Sequence, residues 1–416
     1  MIRHILGALS IATFSSSLLL AADWTVFRGP DGSNKSPDTG LLTQWAPDGP
    51  KLLWTVDFIG PGFSNVSISG DKIYVNGNSG EFTKIFCLDK NGKKIWESDN
   101  GPAHASSRQY PGTRGTPTID GDFVYDISPL GEVACFDAKT GKKIWRRNIM
   151  EDYGAPMTMW FLGHSVVVDG DNLISPLGGP KHAAIAMDKK TGKTVWASEP
   201  VKKPADTKTG YTTPYLFEFE GIRVVIIMSD ATVEGLDPKT GKHLFSIPWS
   251  NDRNVHATMP IYREGHLFMT TGYNGGAKLF KLAKNADGTI TPNEVWHEQQ
   301  FDNQHGGVVV VGDYVYGTTH KGSWGAIDFM TGKVGYLSRA AGKGSVFYAD
   351  GLLYGLTEDD KTVVLVKPVP NEFVLLSSFE LPNNAAGKSW AHPVVLDGRL
   401  YLRHAQYLYC YDVKAE

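Results

Sequence analysis

The sequence predicts an all-β protein: an eight-bladed β-propeller whose last blade is completed by a strand from the N-terminal part of the chain. Three observations predict it, namely a motif that recurs eight times, a composition rich in turn residues, and a final repeat that is one strand short. The 416 residues include 46 glycines and 23 prolines, and 11% of them are aromatic. This composition is typical of many short strands joined by tight turns.

The repeat is clearest between Gly121 and Trp145, which read GDFVYDISPLGEVACFDAKTGKKIW. Each copy has a glycine in the turn before its second strand, and successive marker glycines are 39 to 51 residues apart. The markers are Gly70, Gly121, Gly170, Gly221, Gly265, Gly312, Gly351 and Gly398. A period of this length belongs to propeller blades of four strands.

Four of the eight copies end in a D-x-x-T-G-K turn followed by an outer strand, at residues 137–142, 188–193, 237–242 and 328–333. In residues 137–142 the aspartate can accept a backbone N–H, and Gly141 can supply the positive φ of a bulged hairpin loop. An aromatic residue three positions after the lysine can fill the seam between neighbouring blades, which contributes at most about 4–6 kcal/mol per residue. These aromatic residues are Trp96, Trp145, Trp196, Phe245 and Tyr336.

The last copy is incomplete, because the chain ends at Glu416 after three predicted strands. The missing strand is at the other end, where residues 49–54 (GPKLLW) have the lysine-to-tryptophan spacing of the complete repeats. We expect residues 52–57 to pair beside residues 408–413 and to close the ring. An open ring would expose the edges of its sheets.

The repeated D-x-x-T-G-K-x-x-W turn resembles the repeat of the PQQ-like propellers, a family that includes quinoprotein alcohol dehydrogenases and the BamB assembly propeller. The resemblance covers residues 23–413, and the opening DWTVFRGP is similar to that of an exported PQQ-binding-like branch. The dehydrogenases of the family imply a quinone on the axis, a calcium ion, a catalytic aspartate and often two adjacent cysteines. This chain has neither a Cys-Cys pair nor a C-x-x-C-H haem motif.

Residues 1–22 are predicted to be a signal peptide, because Arg3 and His4 precede a short apolar stretch that ends in small residues. The stretch is too short and too rich in serine for a spanning helix, and no cysteine follows it for a lipid anchor. Residues 23–416 are then expected to form a single propeller, periplasmic or secreted, without a transmembrane segment. We expect the mature protein to be a monomer.

Charge and cysteine content exclude two further classes of site. The net charge is −3 without any basic stripe, which argues against a nucleic-acid partner. The three cysteines, Cys87, Cys135 and Cys410, occupy one repeat position, two residues before the turn aspartate. Because equivalent positions in different blades lie beyond disulfide reach, the sequence predicts buried free thiols.

The residues just before each inner strand are expected to surround the central mouth of the upper face. We define the upper face as the side on which the chain passes from the outer strand of one blade to the inner strand of the next. Arg114, Lys343 and three histidines predict a cationic funnel suited to an acidic or sugar-like group. The predicted ligand-binding residues are Asn65, Arg114, Trp160, His164, Tyr211, His256, His305, Lys343, Trp390 and His392. The alternative is that these residues cap strand ends and line a water-filled channel.

No G-x-S-x-G, H-E-x-x-H or P-loop motif is present, and no catalytic residue can be assigned. The sequence therefore favours an exported scaffold that binds a small polar or sugar-like ligand, or a protein partner, through its upper face. One alternative is a PQQ-dependent dehydrogenase of alcohols or sugars, with PQQ and calcium as cofactors. Another is a carbohydrate-binding or carbohydrate-modifying propeller. No metal site is predicted, since the histidines lack the close spacing of ligand pairs.

Overall fold

The computed structural model describes residues 23–104, 110–179, 181–199, 207–382 and 385–415. The predicted signal peptide lies outside these residues. Within them the chain forms eight antiparallel sheets of four strands each, arranged as the eight blades of a propeller. The predicted fold class is therefore confirmed.

The strand that opens the ring is β1 (Lys51–Val56). Blades 1 to 4 follow in chain order, each with its inner strand first. They contain β2 (Ser67–Ser69), β3 (Lys72–Ser79), β4 (Phe82–Asp89) and β5 (Lys94–Pro102); β6 (Thr118–Asp120), β7 (Phe123–Ile127), β8 (Glu132–Asp137) and β9 (Lys143–Asn148); β10 (Val167–Asp169), β11 (Asn172–Pro176), β12 (Ala184–Asp188) and β13 (Thr194–Ala197); and β14 (Tyr215–Phe219), β15 (Ile222–Met228), β16 (Thr232–Leu236) and β17 (His243–Pro248).

Blades 5 to 7 repeat this arrangement, and blade 8 supplies three strands of its own. They contain β18 (Ile261–Arg263), β19 (His266–Thr271), β20 (Gly276–Lys284) and β21 (Ile290–Glu298); β22 (Val308–Val311), β23 (Tyr314–Thr318), β24 (Trp324–Asp328) and β25 (Val334–Ser338); β26 (Gly344–Ala349), β27 (Leu352–Thr357), β28 (Thr362–Lys367) and β29 (Val374–Glu380); and β30 (Val394–Leu396), β31 (Arg399–His404) and β32 (Tyr407–Asp412).

The fourth strand of blade 8 is β1, which closes the ring as predicted. It pairs antiparallel with β32, so that Lys51 lies opposite Asp412 and Val56 lies opposite Leu408. The predicted register, residues 52–57 beside 408–413, is thus correct to within one residue at each end. Because the two strands are far apart in the sequence, the ring is held shut by hydrogen bonds and packing alone.

Every outer strand carries a β-bulge in its pairing with the third strand, and the pairing of β5 with β4 has two. A bulge increases the local twist and redirects the side chain that follows it, which here is usually the repeat aromatic. In five blades this residue is a tryptophan whose indole Nε1 donates to a backbone carbonyl of the next blade. The pairs are Trp54 with Lys90, Trp96 with Ala138, Trp145 with Lys189, Trp196 with Pro238 and Trp296 with Phe329.

The turn glycine of the next blade lies beneath each of these indoles. Gly92 has a φ of 80°, and a Cβ added to it would lie 2.8 Å from the ring of Trp54. The glycine of the D-x-x-T-G-K turn therefore has two roles, one in the backbone of the turn and one in the seam. Among the predicted seam residues, Trp96, Trp196 and Phe245 are buried, while Trp145 and Tyr336 are half-buried.

Residues 23–36 lie inside the ring of inner strands, and we call this segment the axial plug. The backbone of Trp24 exchanges two hydrogen bonds with Ile68 on β2, both 2.8 Å long. In blade 7, two blades away from blade 1, the Tyr348 N–H of β26 donates to the Asn34 carbonyl at 3.1 Å. Arg28, fully buried, donates through Nη2 to the Val308 carbonyl of β22 at 2.6 Å. The plug therefore connects blades that are not neighbours.

The remaining features agree with the predicted class. Cys87, Cys135 and Cys410 are buried and free, as predicted, and burial raises the pKa of the Cys87 thiol to about 11. A single short helix occurs in the described residues, α1 (Ile149–Tyr153), which follows β9 and begins at the capping residue Asn148. Within the same residues, no helix is both long enough and apolar enough to cross a membrane.

Candidate functional site

A cavity of about 340 Å³ opens on the upper face at the propeller axis. Ligand sites usually have volumes of about 300–1,000 Å³, so this cavity suits a small molecule. All eight blades contribute to its wall, because the chain enters each blade next to the axis. The lining residues are Phe27, Phe63, Asn65, Tyr110, Arg114, Trp160, Gly163, Ser165, Tyr211, Thr213, Val255, Ala257, Tyr273, Gln304, His305, His320, Lys343, Glu358, Trp390 and His392.

Eight of the ten residues predicted from the sequence line this cavity, and two do not. His164 and His256 are completely buried behind the wall. The Nε2 atom of His164 lies 3.2 Å from Ser175 Oγ, and that of His256 lies 3.1 Å from the Trp249 carbonyl. Burial lowers the pKa of His164 to about 3 and that of His256 to about 4. Both side chains are uncharged interior residues at neutral pH.

The floor of the cavity is formed by Phe27 of the axial plug. Its ring meets the imidazole of His392 edge-on, with a centroid separation of 5.0 Å. Phe27 also lines a second cavity of about 390 Å³ below it, between the plug and the inner strands of blades 2 to 4. Phe27 and Thr213 are the residues that line both spaces.

One side of the cavity is aromatic. Trp390 lies between Phe63 and Tyr110, with ring centroids 4.5 and 4.8 Å away. The guanidinium of Arg114 stands 5.6 Å from the centre of the Phe63 ring and donates to the Tyr110 carbonyl at 2.7 Å. Burial lowers the pKa of Arg114 to about 10, so the residue keeps its positive charge at neutral pH.

The other side of the cavity is polar and is centred on Glu358. Its Oε2 atom accepts hydrogen bonds from Lys343 Nζ at 2.7 Å and from His305 Nε2 at 3.1 Å. Its Oε1 atom has a looser contact, 3.8 Å from Lys388 Nζ. Burial alone would favour the protonated acid, but the contacts with His305 and Lys343 outweigh it and hold the pKa of Glu358 well below its usual range.

A second group of side chains fixes the position of Lys343. Gln304 accepts a hydrogen bond from Lys343 through Oε1 and donates through Nε2 to the Tyr273 hydroxyl at 2.6 Å. The same Oε1 atom lies 3.0 Å from Nδ1 of His320. Because each member has a partner within the network, the polar side is ordered in advance of any ligand.

The wall is less cationic than the sequence predicts. Glu358 neutralises Lys343, and burial lowers the pKa of His305 below its usual value and that of His392 to about 3. At neutral pH the histidines carry no charge, so the charged groups among the lining residues are Arg114 and the Lys343–Glu358 pair. The predicted cationic funnel is therefore corrected to a wall with little net charge.

Four lining residues have a buried polar atom without a hydrogen-bond partner among the described residues. The atoms are Asn65 Nδ2, Trp390 Nε1, His305 Nδ1 and His392 Nδ1. These residues are neighbours: the His392 N–H donates to Asn65 Oδ1 at 3.0 Å, and the His305 and Trp390 rings are 5.6 Å apart. Unpaired buried polar atoms cost free energy, and these four are buried within the wall with almost no accessible surface of their own.

The donor set of the wall does not fit a calcium-bound quinone. Calcium takes about six to eight oxygen ligands, with carboxylates prominent among them. Glu358 is the only carboxylate among the lining residues, and its oxygens already face Lys343, His305 and Lys388. In the described part of the chain, no three His, Cys, Asp or Glu side chains come together as a metal site would require.

Sequence reasoning missed three residues of the polar side for one common reason. Tyr273, His320 and Glu358 lie in the loops between the second and third strands of blades 5, 6 and 7. Since strands alternate in direction, these loops reach the upper face just as the loops before the inner strands do. The predicted order of strands in each blade could therefore have identified these loops as part of the cavity wall. Nothing in the sequence indicated that Phe27 closes the cavity from below.

The chain matches the family model described as outer membrane protein assembly factor BamB over residues 23–157 and 129–370. It is also 26% identical over 137 residues to the 1-butanol dehydrogenase (quinone) of Thauera butanivorans. That match covers 30% of this chain and 21% of the enzyme, so the similarity spans only about a fifth of the enzyme's length.

Solved structures of similar fold include BamB and an alcohol dehydrogenase. BamB from Moraxella catarrhalis superimposes with a TM-score of 0.60 at 14% identity, covering 88% of this chain and 98% of that one. Quinohemoprotein alcohol dehydrogenase from Comamonas testosteroni gives a TM-score of 0.61 at 13% identity, covering 94% of this chain and 80% of that one. At these identities the similarity shows a shared fold, and the chemistry has to be argued from the site.

Proposed function

The chain belongs to the PQQ-like propeller family described as outer membrane protein assembly factor BamB, and we propose that it is a binding protein that holds a small polar ligand in its upper-face cavity. The observation that carries the proposal is the cavity itself, which all eight blades line and Phe27 closes from below. A closed floor and a wall of ordered polar and aromatic side chains are typical of ligand sites.

The arrangement of the polar side supports binding more than catalysis. A general base needs a carboxylate or imidazole that can take up a proton near neutral pH. Glu358 instead accepts hydrogen bonds from Lys343 and His305, which stabilise its ionised form. His305 in turn is kept uncharged by burial. These groups are suited to a fixed pattern of hydrogen bonds.

Ligand-observed NMR with a chemically mixed fragment library tests the proposal. We expect fragments that bind the wild-type protein and lose binding in Trp390→Ala, because this ring forms the aromatic side of the cavity. Trp145→Ala is the matched control: its ring lies in the seam between blades 2 and 3, so the fragments should still bind. A library without hits, or hits unaffected by Trp390→Ala, would contradict the proposal.

A quinone-dependent dehydrogenase is the second candidate, favoured by the sequence match to 1-butanol dehydrogenase (quinone). The donor set of the cavity weighs against it, since its one carboxylate is engaged by cations and a histidine. Titration of the protein with PQQ and calcium, followed by absorbance of the quinone and by dye reduction with a primary alcohol, decides between the two. Tight quinone binding with turnover would establish the enzyme and displace the first proposal.

A protein partner on the same face is a further possibility that the family description raises. Two apolar side chains near the mouth support it, since Tyr110 is 38% exposed and Met159 is 64% exposed. Action outside the cytoplasm rests on the predicted signal peptide at residues 1–22, and a fusion of these residues to alkaline phosphatase tests export directly. We give the small ligand precedence because the ordered polar and aromatic side chains of all eight blades converge on a cavity of about 340 Å³, which a folded partner cannot enter.

A further inference from the structure

We propose that His243 is a pH-sensitive link between blades 3 and 4: its protonated ring holds the two blades together, and loss of the proton releases the contact with blade 3. The link does not depend on what the upper-face cavity binds. Three observations carry it, namely the acceptors that face both ring nitrogens, the burial of the carboxylate beside the ring, and the residues that stand at the same positions in other blades.

Both ring nitrogens of His243 face a hydrogen-bond acceptor. Nδ1 lies 3.1 Å from Oε2 of Glu234, on the neighbouring strand β16 of blade 4. Nε2 lies 3.1 Å from the backbone carbonyl of Glu199, which follows β13 of blade 3. A neutral imidazole has one N–H to donate, whereas an imidazolium has two. Since neither a carbonyl nor a carboxylate can donate, both contacts are hydrogen bonds only when the ring is protonated.

Glu234 depends on His243 for a positive neighbour. Its side chain is 1% exposed, and its other oxygen, Oε1, accepts a hydrogen bond from Ser246 Oγ at 2.8 Å. Among the residues that the structure describes, His243 is the one basic side chain that forms an ion pair with it. A buried carboxylate without a positive partner costs free energy, so Glu234 favours the protonated form of His243.

The charged groups around His243 all act in this direction. The hydrogen bond with Glu234 raises the pKa of His243 above its ordinary value of 6.5, and burial opposes this effect only in part. The Glu199 carbonyl and the carboxylates of Glu234 and Glu199 raise the pKa further. The side chain is 26% exposed, so the ring can exchange its proton with solvent. Histidine is the side chain that moderate changes of pH can switch.

The pair is specific to blade 4, and the repeat itself does not require it. Glu234 stands three residues before the turn aspartate, Asp237. In blades 1, 2, 3 and 6 the same position holds apolar or small residues, which are Phe86, Ala134, Ile185 and Gly325. A blade therefore folds without a carboxylate at this position, which indicates that the Glu234–His243 pair has a separate role.

Loss of the proton should break the contact between the blades and keep the one within blade 4. The remaining N–H stays on Nδ1, because a hydrogen bond to a carboxylate is stronger than one to a carbonyl. Nε2 then turns a lone pair toward the Glu199 carbonyl oxygen, and the two repel each other. Because the pKa of His243 is higher in the folded than in the unfolded protein, the link stabilises fully below about pH 6.5 and is lost as the pH rises through the folded pKa.

Nitrogen NMR of ¹⁵N-labelled protein tests the protonation of His243 directly. The ring should carry both protons at about pH 5.5 and the Nδ1–H form at high pH, with a midpoint above 6.5. Glu234→Gln should lower this midpoint, because it removes the carboxylate. His266→Gln is the matched control, since that imidazole contacts the Glu264 carbonyl of its own blade, and it should leave the midpoint unchanged. A wild-type midpoint at or below 6.5, or a neutral form protonated on Nε2, would overturn the proposal.

Hydrogen exchange measures the link itself. The Ser198 N–H donates to the Ala184 carbonyl at 3.0 Å, next to the residue that His243 holds. After correction for the intrinsic effect of pH, this amide and those of β13 should exchange about ten-fold faster at about pH 8.5 than at about pH 6. The amides of β22 in blade 6 are the internal reference and should not change.

His243→Phe keeps a ring at this position and removes both donors. In this variant the amides of β13 should exchange equally fast at both pH values, at the rate of the wild type at high pH. The wild-type comparison decides the question if the variant does not fold. Equal protection of β13 at both pH values in the wild type would show that His243 does not link the blades.

Discussion

At the scale of single residues, burial decides what the polar side chains of this propeller do. His164 and His256 are buried away from any charge and lie in the interior, whereas Glu358 is held ionised because Lys343 and His305 face it. The same physical effect, loss of contact with water, therefore gives an uncharged imidazole in one place and a fixed carboxylate in another. The neighbouring groups, more than the residue type, therefore decide whether a buried side chain is charged.

The buried histidines predict a loss of stability in acid. The pKa of His256 is about 4 in the folded protein and about 6.5 in the unfolded chain, so between these values only the unfolded chain takes up the proton. Acidification through this range should lower the free energy of unfolding by up to about 3 kcal/mol from this residue alone. The stabilisation is complete above about pH 6.5.

His256→Gln tests this prediction, since its amide can still donate to the Trp249 carbonyl that His256 contacts. Urea unfolding of both proteins between about pH 7 and pH 4.5 should show a shallower pH dependence in the variant, even if its stability at pH 7 is lower. Parallel curves for the two proteins would show that His256 takes up its proton equally in the folded and unfolded states.

At the scale of strands, the outer strand is the element that joins one blade to the next. Its bulge turns the following tryptophan onto the turn glycine of the neighbouring blade, and the indole N–H bonds to that turn. The same contact recurs in five seams, which explains why lysine, glycine and tryptophan keep a constant spacing in the repeat. The seam between blades 8 and 1 differs in one respect, because β1 is not linked to β32 by a short turn.

Trp54→Ala should therefore have a larger local effect than the same change elsewhere. Truncation of a tryptophan in a packed seam costs about 3 kcal/mol, and Trp145→Ala should cost a similar amount. In the Trp145 variant β9 stays attached to β8 through a hairpin turn, whereas in the Trp54 variant β1 can separate from the sheet. Hydrogen exchange should accelerate in β1 and β32 only in Trp54→Ala. Unchanged protection of β1 would refute this account of ring closure.

At the scale of the whole molecule, the axial plug links blades across the ring. Trp24 is the first residue of the plug with a buried side chain, and its ring packs against Phe347 of blade 7 with a centroid separation of 5.2 Å. Its backbone forms hydrogen bonds with Ile68 of blade 1. The next residue accepts a hydrogen bond from the Ile119 N–H of blade 2 at 2.8 Å. The plug thus supplies contacts that the seams between adjacent blades cannot provide, and it places Phe27 beneath the cavity.

Trp24→Ala should loosen several blades at once. Removing a fully buried tryptophan costs about 3–5 kcal/mol, and the backbone hydrogen bonds of the plug depend on its position. We expect faster hydrogen exchange at the amides of Ile68, Ile119 and Tyr348, which belong to blades 1, 2 and 7. Trp145→Ala should affect only blades 2 and 3. A response confined to blade 1 in the Trp24 variant would show that the plug does not couple the blades.

The amino-acid sequence alone predicts the features that repeat. The constant spacing of turn glycines and aromatic residues is a local property, so it predicted eight blades, the closing strand, the common position of the three buried cysteines and the loops that approach the axis. Each of these depends on backbone geometry within one repeat, which neighbouring residues largely control.

The features that occur once became visible in the folded chain. Phe27 and Glu358 lie more than three hundred residues apart in the chain but line the same cavity. Neither residue belongs to the repeated sequence motif. Likewise, the sequence could not separate His164 and His256 from His305 and His392, because burial and the nearest charged group depend on distant segments. The charge of the wall and its partnerless atoms are thus properties of the assembled ring.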